Sequence, residues 1–116
     1  MSVTFAQGFS AAGVVAGISS VEGKKDLALV VNNGPLDAVA GVFTSNRFCA
    51  APVQWSRKAV ADGHAKAVIL NSGGANACTG EAGYQQSVST AEAVAELVGA
   101  QAEDVAVCST GLIGEL

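Results

Sequence analysis

The run from Lys66 to Cys108 limits the fold more than any other part of this 116-residue chain. It opens with a short, buried-type strand, Lys66 to Leu70 (KAVIL), and passes into a loop of small polar residues, Asn71 to Gly80. The clearest helix follows, Tyr84 to Val98, with Val88, Ala91, Ala95 and Val98 at spacings of three and four and Gly99 as its stop. Val105-Ala106-Val107-Cys108 then reads as another strand. Strands and helices in alternation predict an α/β layered arrangement, in which loops at strand ends carry function.

Upstream the signals are shorter. Residues 1–25 read as an extended or irregular start, with Gly8, Gly13, Gly17 and Gly23 interrupting any long period. Asp26 to Asn32 (DLALVVN) is a short apolar run ended by Asn33-Gly34-Pro35, which is strong turn chemistry. Ala38 to Thr44 (AVAGVFT) is a second β-like run, closed by Ser45-Asn46. The brief loop between the two runs predicts an antiparallel pair. Pro52 to Asp62 suits a helix with Pro in its first turn, Val53, Trp55, Ala59 and Val60 on one face, and Gly63 as its end.

The core that these elements can build is thin. Ala, Gly, Ser and Thr supply 51 residues, whereas Leu, Ile, Met and the aromatics supply 17. A buried Leu or Phe contributes roughly 1.5–3 kcal/mol and Ala much less, so a domain of this length is expected to pack against further polypeptide. The end of the chain points the same way: five residues follow the Ser109-Thr110-Gly111 turn, where a helix opens at Leu112. One turn of helix does not hold itself together, so residues 1–116 read as the N-terminal piece of a longer polypeptide, a single or partial domain.

Charge and cysteine content exclude several classes of function. The net charge is −4, and the only close basic pairs are Lys24-Lys25 and Arg57-Lys58, which argues against a nucleic-acid partner. No apolar run is long enough to span a membrane. The apolar segment from Phe9 to Ile18 has no basic residue before it, so it is not read as a signal sequence. Cys49, Cys78 and Cys108 lie far apart, giving neither a disulfide framework nor a zinc site. The expectation is a cytoplasmic protein with reduced thiols.

Two loops are placed for chemistry. In the Ser109-Thr110-Gly111 turn, the Thr110 hydroxyl, the Gly111 N–H and the N–H groups of a first helical turn form a set of donors. Such donors suit a developing oxyanion or a phosphate, and glycine lets a ligand approach the backbone. The alternative is a plain helix N-cap by Ser109 or Thr110. The Asn71–Gly80 loop has glycines at 73, 74 and 80 but no lysine and no phosphate-loop spacing, and its role stays open. Cys108 with His64, the single histidine, would be a thiol–base pair; against it, Cys108 ends an apolar strand and reads as core, while His64 reads as surface. No paired-carboxylate pattern is present, and Trp55 reads as a core anchor.

Taken together, the motifs are more specific than any one alone. Asp26 to Asn32 with Gly34-Pro35, then AGVFTSNR from Ala40 to Arg47, AAPV from Ala50 to Val53, LNSGGANACTG from Leu70 to Gly80 and VCSTGLIGE from Val107 to Glu115 occur in this order. From about Phe9 onward the chain resembles the N-terminal part of the ornithine acetyltransferase family, also called glutamate N-acetyltransferases, of arginine biosynthesis.

The resemblance implies a layered α/β/β/α sandwich of two sheets between helices, to which this chain contributes one piece. It implies a precursor that cuts itself before a threonine into α and β chains that stay together as αβ heterodimers within a higher oligomer. The freed threonine of the β chain is the nucleophile, with its own α-amino group as base. Acetyl passes from N-acetylornithine to that threonine and then to glutamate, and some members also accept acetyl-CoA. No cofactor or metal is implied. The Thr-Gly pair of the family's oxyanion hole falls on Thr110 and Gly111. The family's nucleophile lies in an Ala-Thr-Met-Leu-type run, and the only methionine here is Met1. The nucleophile and the later substrate-binding positions are therefore outside this chain, which is expected to be inactive alone. The alternative is a non-catalytic small-molecule binding or assembly module on the same scaffold.

Overall fold

The computed structural model describes residues 2–116. Strands β1 (Phe9–Val14), β2 (Leu27–Asn32), β3 (Ala67–Gly74) and β4 (Val105–Leu112) form one sheet in the order β1-β2-β3-β4. β1–β2 and β2–β3 are antiparallel, and β3–β4 is parallel. A parallel pair needs a long crossover, which helix α2 (Gly80–Val98) supplies. Helix α1 (Ala51–Ala59) lies between β2 and β3 in sequence. The expected α/β class is what forms.

Side chains alternate across the sheet. Leu29, Ile69 and Val107 stand in one cross-strand row, with Ala67 and Val105 beside them, and face the helices. With Trp55, Ala59, Ala91, Val94 and Ala95 they make the core. The opposite face carries the rows Val30–Val68 and Leu70–Cys108, half-buried or exposed. No helix or strand among the described residues covers that face.

Several elements differ from expectation, each for a local reason. The Ala38–Thr44 run makes no strand, only an isolated bridge from Ala38 to His64. Both edges of β2 are occupied, by β1 and β3, so the expected pairing of that run with β2 is closed to it. β1 is the extended part of a start expected to be extended or irregular. The buried face of α1 is Ala51, Pro52, Trp55, Ser56 and Ala59, while Val53 and Val60 are half-buried. Spacings of four residues bring Ala51, Trp55 and Ala59 inward. Ser56 goes inward with them because it has partners there. β3 continues through Asn71-Ser72-Gly73-Gly74, and β4 through Ser109-Thr110-Gly111-Leu112, because the two pair to their ends. The expected ten-residue loop shrinks accordingly, and α2 begins four residues early, at Gly80. It ends as expected at Gly99, in the left-handed region at φ 69°.

Candidate active site

β4 is an edge strand, and α1 satisfies the outer side of its first half. The Trp55 indole N–H donates to the Val105 carbonyl at 2.9 Å. The Ser56 hydroxyl donates to the Val107 carbonyl at 2.7 Å and accepts the Val107 N–H at 2.8 Å. In a parallel ladder a residue turns its N–H and C=O to one side and the next residue turns them to the other. Val105 and Val107 thus face outward, and the same alternation directs the N–H groups of Ser109 and Gly111 to the outer edge. Leu112 faces inward, its carbonyl accepting the Ala75 N–H at 2.9 Å. No α1 side chain hydrogen-bonds Ser109, Thr110 or Gly111, and the last two are exposed.

Thr110 stands opposite Ser72, and Gly111 opposite Gly73. Both Thr110 and Gly111 are exposed. Gly111 has φ 138°, and a Cβ there would run into the Gly73 carbonyl, so only glycine lets the two strands approach as they do. No helix opens at Leu112; the chain turns at Ile113-Gly114 instead. The helix-cap alternative for Ser109 and Thr110 therefore fails, and the donor set loses its expected helical N–H groups. The Thr110 hydroxyl and the Gly111 N–H remain, side by side at the end of a strand.

A cavity of about 410 Å³ reaches Gly111, walled by Ser19, Lys24, Ser72, Gly73 and Glu115 among others. Lys24 Nζ donates to Ser72 Oγ at 3.0 Å, placing a cation beside the residue opposite Thr110. Hydroxyl, N–H and ammonium groups at one strand end form a donor-rich corner suited to a carbonyl oxygen that gains charge, and the Glu115 carboxylate balances the Lys24 cation along the same cavity.

The second wall of the cavity rests on a residue that local sequence patterns do not single out. Asp26 is buried, and its carboxylate accepts the N–H groups of Ala16 at 2.6 Å, Ile18 at 2.6 Å and Ser19 at 2.8 Å. Its pKa is lowered, chiefly by the Ser19 and Ala16 N–H groups, with desolvation opposing them. The only sequence signal was an acidic residue placed directly before an apolar strand.

The remaining candidates separate. His64 precedes β3, whereas Cys108 pairs with Leu70, about 20 Å along the sheet at a strand rise of about 3.3 Å per residue. Cys108 is exposed rather than core, because its face of the sheet lies open. Partial desolvation still pushes its thiol pKa up, which disfavours the thiolate. The short loop after β3 is fixed by Asn76. Asn76, buried and at φ 48°, donates to the Gly83 carbonyl at 2.9 Å and the Ser87 hydroxyl at 3.2 Å, and accepts from Thr79 at 2.6 Å. Its carbonyl takes the Ala51 N–H at 3.1 Å, so one residue ties α1, α2 and β3 together.

Comparison with known proteins places this arrangement. The chain is 90% identical over all 116 residues to the arginine biosynthesis bifunctional protein ArgJ of Bifidobacterium longum, and covers 30% of that relative's length. It is 60% identical over 116 residues to the protein of that name from Streptomyces coelicolor, again covering 30% of it. The crystal structure of ornithine acetyltransferase complexed with ornithine from Mycobacterium tuberculosis superposes with a TM-score of 0.91 at 56% identity, over 94% of this chain and 58% of that one. The Bacillus halodurans ArgJ structure superposes with a TM-score of 0.92 at 40% identity, over 100% of this chain and 60% of that one. The chain thus spans about 30% of the length of these curated relatives. The ArgJ family model matches residues 10–116, and the chain belongs to the ArgJ family.

Proposed function

We propose that this chain supplies the oxyanion-stabilising side of an acetyltransferase site that moves acetyl from N-acetylornithine to glutamate. The observation that carries this reading is the exposed Thr110-Gly111 pair at the end of β4, whose Thr110 hydroxyl is engaged by no side-chain hydrogen bond among the described residues. In the proposed reaction, the hydroxyl oxygen of a β-chain N-terminal threonine attacks the acetyl carbonyl carbon, and its proton passes to that threonine's own α-amino group. The acetyl C–N bond breaks, the proton goes to the departing ornithine amine, and an acetyl ester remains. The glutamate amine then attacks the ester and takes the acetyl group, returning a proton to the threonine oxygen. At each tetrahedral stage Thr110 and Gly111 hold the negative oxygen.

The nucleophile belongs to the β chain, so residues 1–116 alone are expected to transfer no acetyl. The working enzyme in this reading is an αβ heterodimer within a higher oligomer, in the cytoplasm. The test is Thr110→Ala in the full-length enzyme, measured per fully processed molecule. The expected result is a kcat lower by roughly 100- to 1000-fold with a smaller change in KM. An unchanged kcat removes Thr110 from the site.

A further inference from the structure

We infer that Asp26 is a positioning residue for the Thr110–Gly111 edge, acting through the loop at residues 16–19 and through Gly73. This inference rests on the reading of Thr110 and Gly111 as oxyanion donors. The chain of contacts is short. The Asp26 carboxylate holds the Ala16, Ile18 and Ser19 N–H groups. The loop so held lies directly on Gly73, where an added Cβ would sit 2.7 Å from both the carbonyl oxygen and the Cγ2 of Ile18. Gly73 in turn faces Gly111 across the ladder, and its carbonyl fills the space a Gly111 side chain would need. The main chain of Asp26 grips the same region from the other side. Its N–H donates to the Val14 carbonyl at 3.0 Å, and its carbonyl accepts the Ser72 N–H at 2.9 Å.

A stabilising role alone accounts poorly for this arrangement. Asp26 is 3% exposed and its carboxylate has no ion-pair partner among the described residues, where the single salt bridge joins Lys66 and Asp37. Burying an unpaired charge is costly, and backbone N–H dipoles alone offset it here. Yet the loop it fixes contributes no residue to the hydrophobic core. What the loop does contribute is a wall of the cavity at Gly111, through Ile18 and Ser19. Catalysis by fixed donors depends on their placement to well under an ångström, and a misplacement of about 1 Å costs up to about 100-fold. A buried charge that fixes such a wall therefore acts on the rate.

The experiment uses a full-length enzyme made by joining residues 1–116 to the remainder of the Bifidobacterium longum relative. Asp26→Asn keeps size but removes the charge and turns an amide N–H₂ toward backbone donors. Ile18→Ala keeps every Asp26 hydrogen bond and trims the contact on Gly73; Ile18 is 40% exposed, so the fold tolerates the change. Asp26→Asn is expected to lower kcat about tenfold with KM within about twofold, and Ile18→Ala to lower kcat several-fold. Hydrogen exchange is expected to quicken in peptides covering 14–20 and also in those covering 108–113. A purely structural anchor would quicken only the first set. An unchanged kcat in both variants, with exchange altered at the loop alone, overturns the inference. If Asp26→Asn fails to fold, an unchanged kcat in Ile18→Ala is sufficient to overturn it. Thr110→Ala in the same enzyme separates the two levels: its retained activity sinks the donor reading, whereas its loss beside an unaffected Asp26→Asn sinks only the positioning role.

Discussion

Ser56 holds Val107 at both of its backbone groups, accepting the N–H at 2.8 Å and donating to the carbonyl at 2.7 Å. A buried hydroxyl on a helix thus completes the edge of a sheet that has no further strand. Ser56→Ala leaves both Val107 groups without that partner in a site closed to water. The expected loss is about 2–3 kcal/mol, read as a lower denaturation midpoint at an unchanged slope. Because Val107 lies four residues before Gly111, the substitution should also loosen the strand edge at Ser109–Gly111, seen as faster exchange in peptides covering 105–111. A midpoint within experimental error of the parent would show that α1 does not secure β4.

Asp26 gives the chain a predictable response to acid. Its pKa in the folded state lies below its ordinary value of 3.8, held down by backbone N–H groups. The charged form is therefore favoured more in the folded than in the unfolded chain. The resulting stabilisation is fully present above the unfolded-state pKa and is lost as pH falls through the lower folded value. The window opens at about pH 4 and extends downward. Asp26→Asn should be less stable than the parent at neutral pH, and the gap between the two should narrow below about pH 4. Denaturant midpoints of both proteins across that range test this; a constant gap would assign the acid response to other carboxylates.

How far the sequence disclosed this molecule depends on whether the relevant signal was local. The β3-α2-β4 unit was legible because a long periodic helix between two apolar strands leaves few alternatives. The Ala38–Thr44 run looked equally strand-like but forms none, since occupancy of both β2 edges is a property of the whole sheet. Asn71 to Gly74 read as loop because small polar residues resemble turn chemistry; only the presence of β4 alongside makes them strand. Thr110 and Gly111 stood out as a set of donors whose role only the family resemblance suggested; the helix expected to follow them is absent, and they lie instead at the end of a strand. Asp26 and Asn76 were missed because their partners are backbone groups brought in by folding, which no spacing announces.

The open sheet face predicts the behaviour of residues 1–116 in isolation. Leu70 is 38% exposed near the centre of that face, and Phe9 is 41% exposed at its edge. Continuous apolar surface of this kind is seldom left bare by a stable monomer. The isolated chain should self-associate or melt at low temperature, and should show no acetyl transfer between N-acetylornithine and glutamate. A monomer at high concentration in sedimentation, melting cooperatively above about 65 °C, would contradict the first expectation. Turnover above the uncatalysed rate in a mass-verified sample would contradict the second.

The two residues of the proposed oxyanion site should respond differently to substitution, and the difference separates donation from architecture. Thr110 is exposed, and none of the side-chain hydrogen bonds among the described residues involves its hydroxyl, so Thr110→Ala should change stability by no more than about 0.5 kcal/mol. Thr110→Ser keeps the hydroxyl and should retain kcat within a few-fold while Thr110→Ala loses it. Gly111 is another matter. Its N–H survives any substitution, but a methyl at φ 138° collides with the Gly73 carbonyl and forces β4 away from β3. Gly111→Ala should therefore lose activity and about 1–3 kcal/mol of stability together. Measured side by side, Thr110→Ala is expected to be a stable enzyme with a defective rate, and Gly111→Ala a destabilised one. Equal losses of stability in the two variants would mean that Thr110 serves the strand pairing rather than the reacting carbonyl.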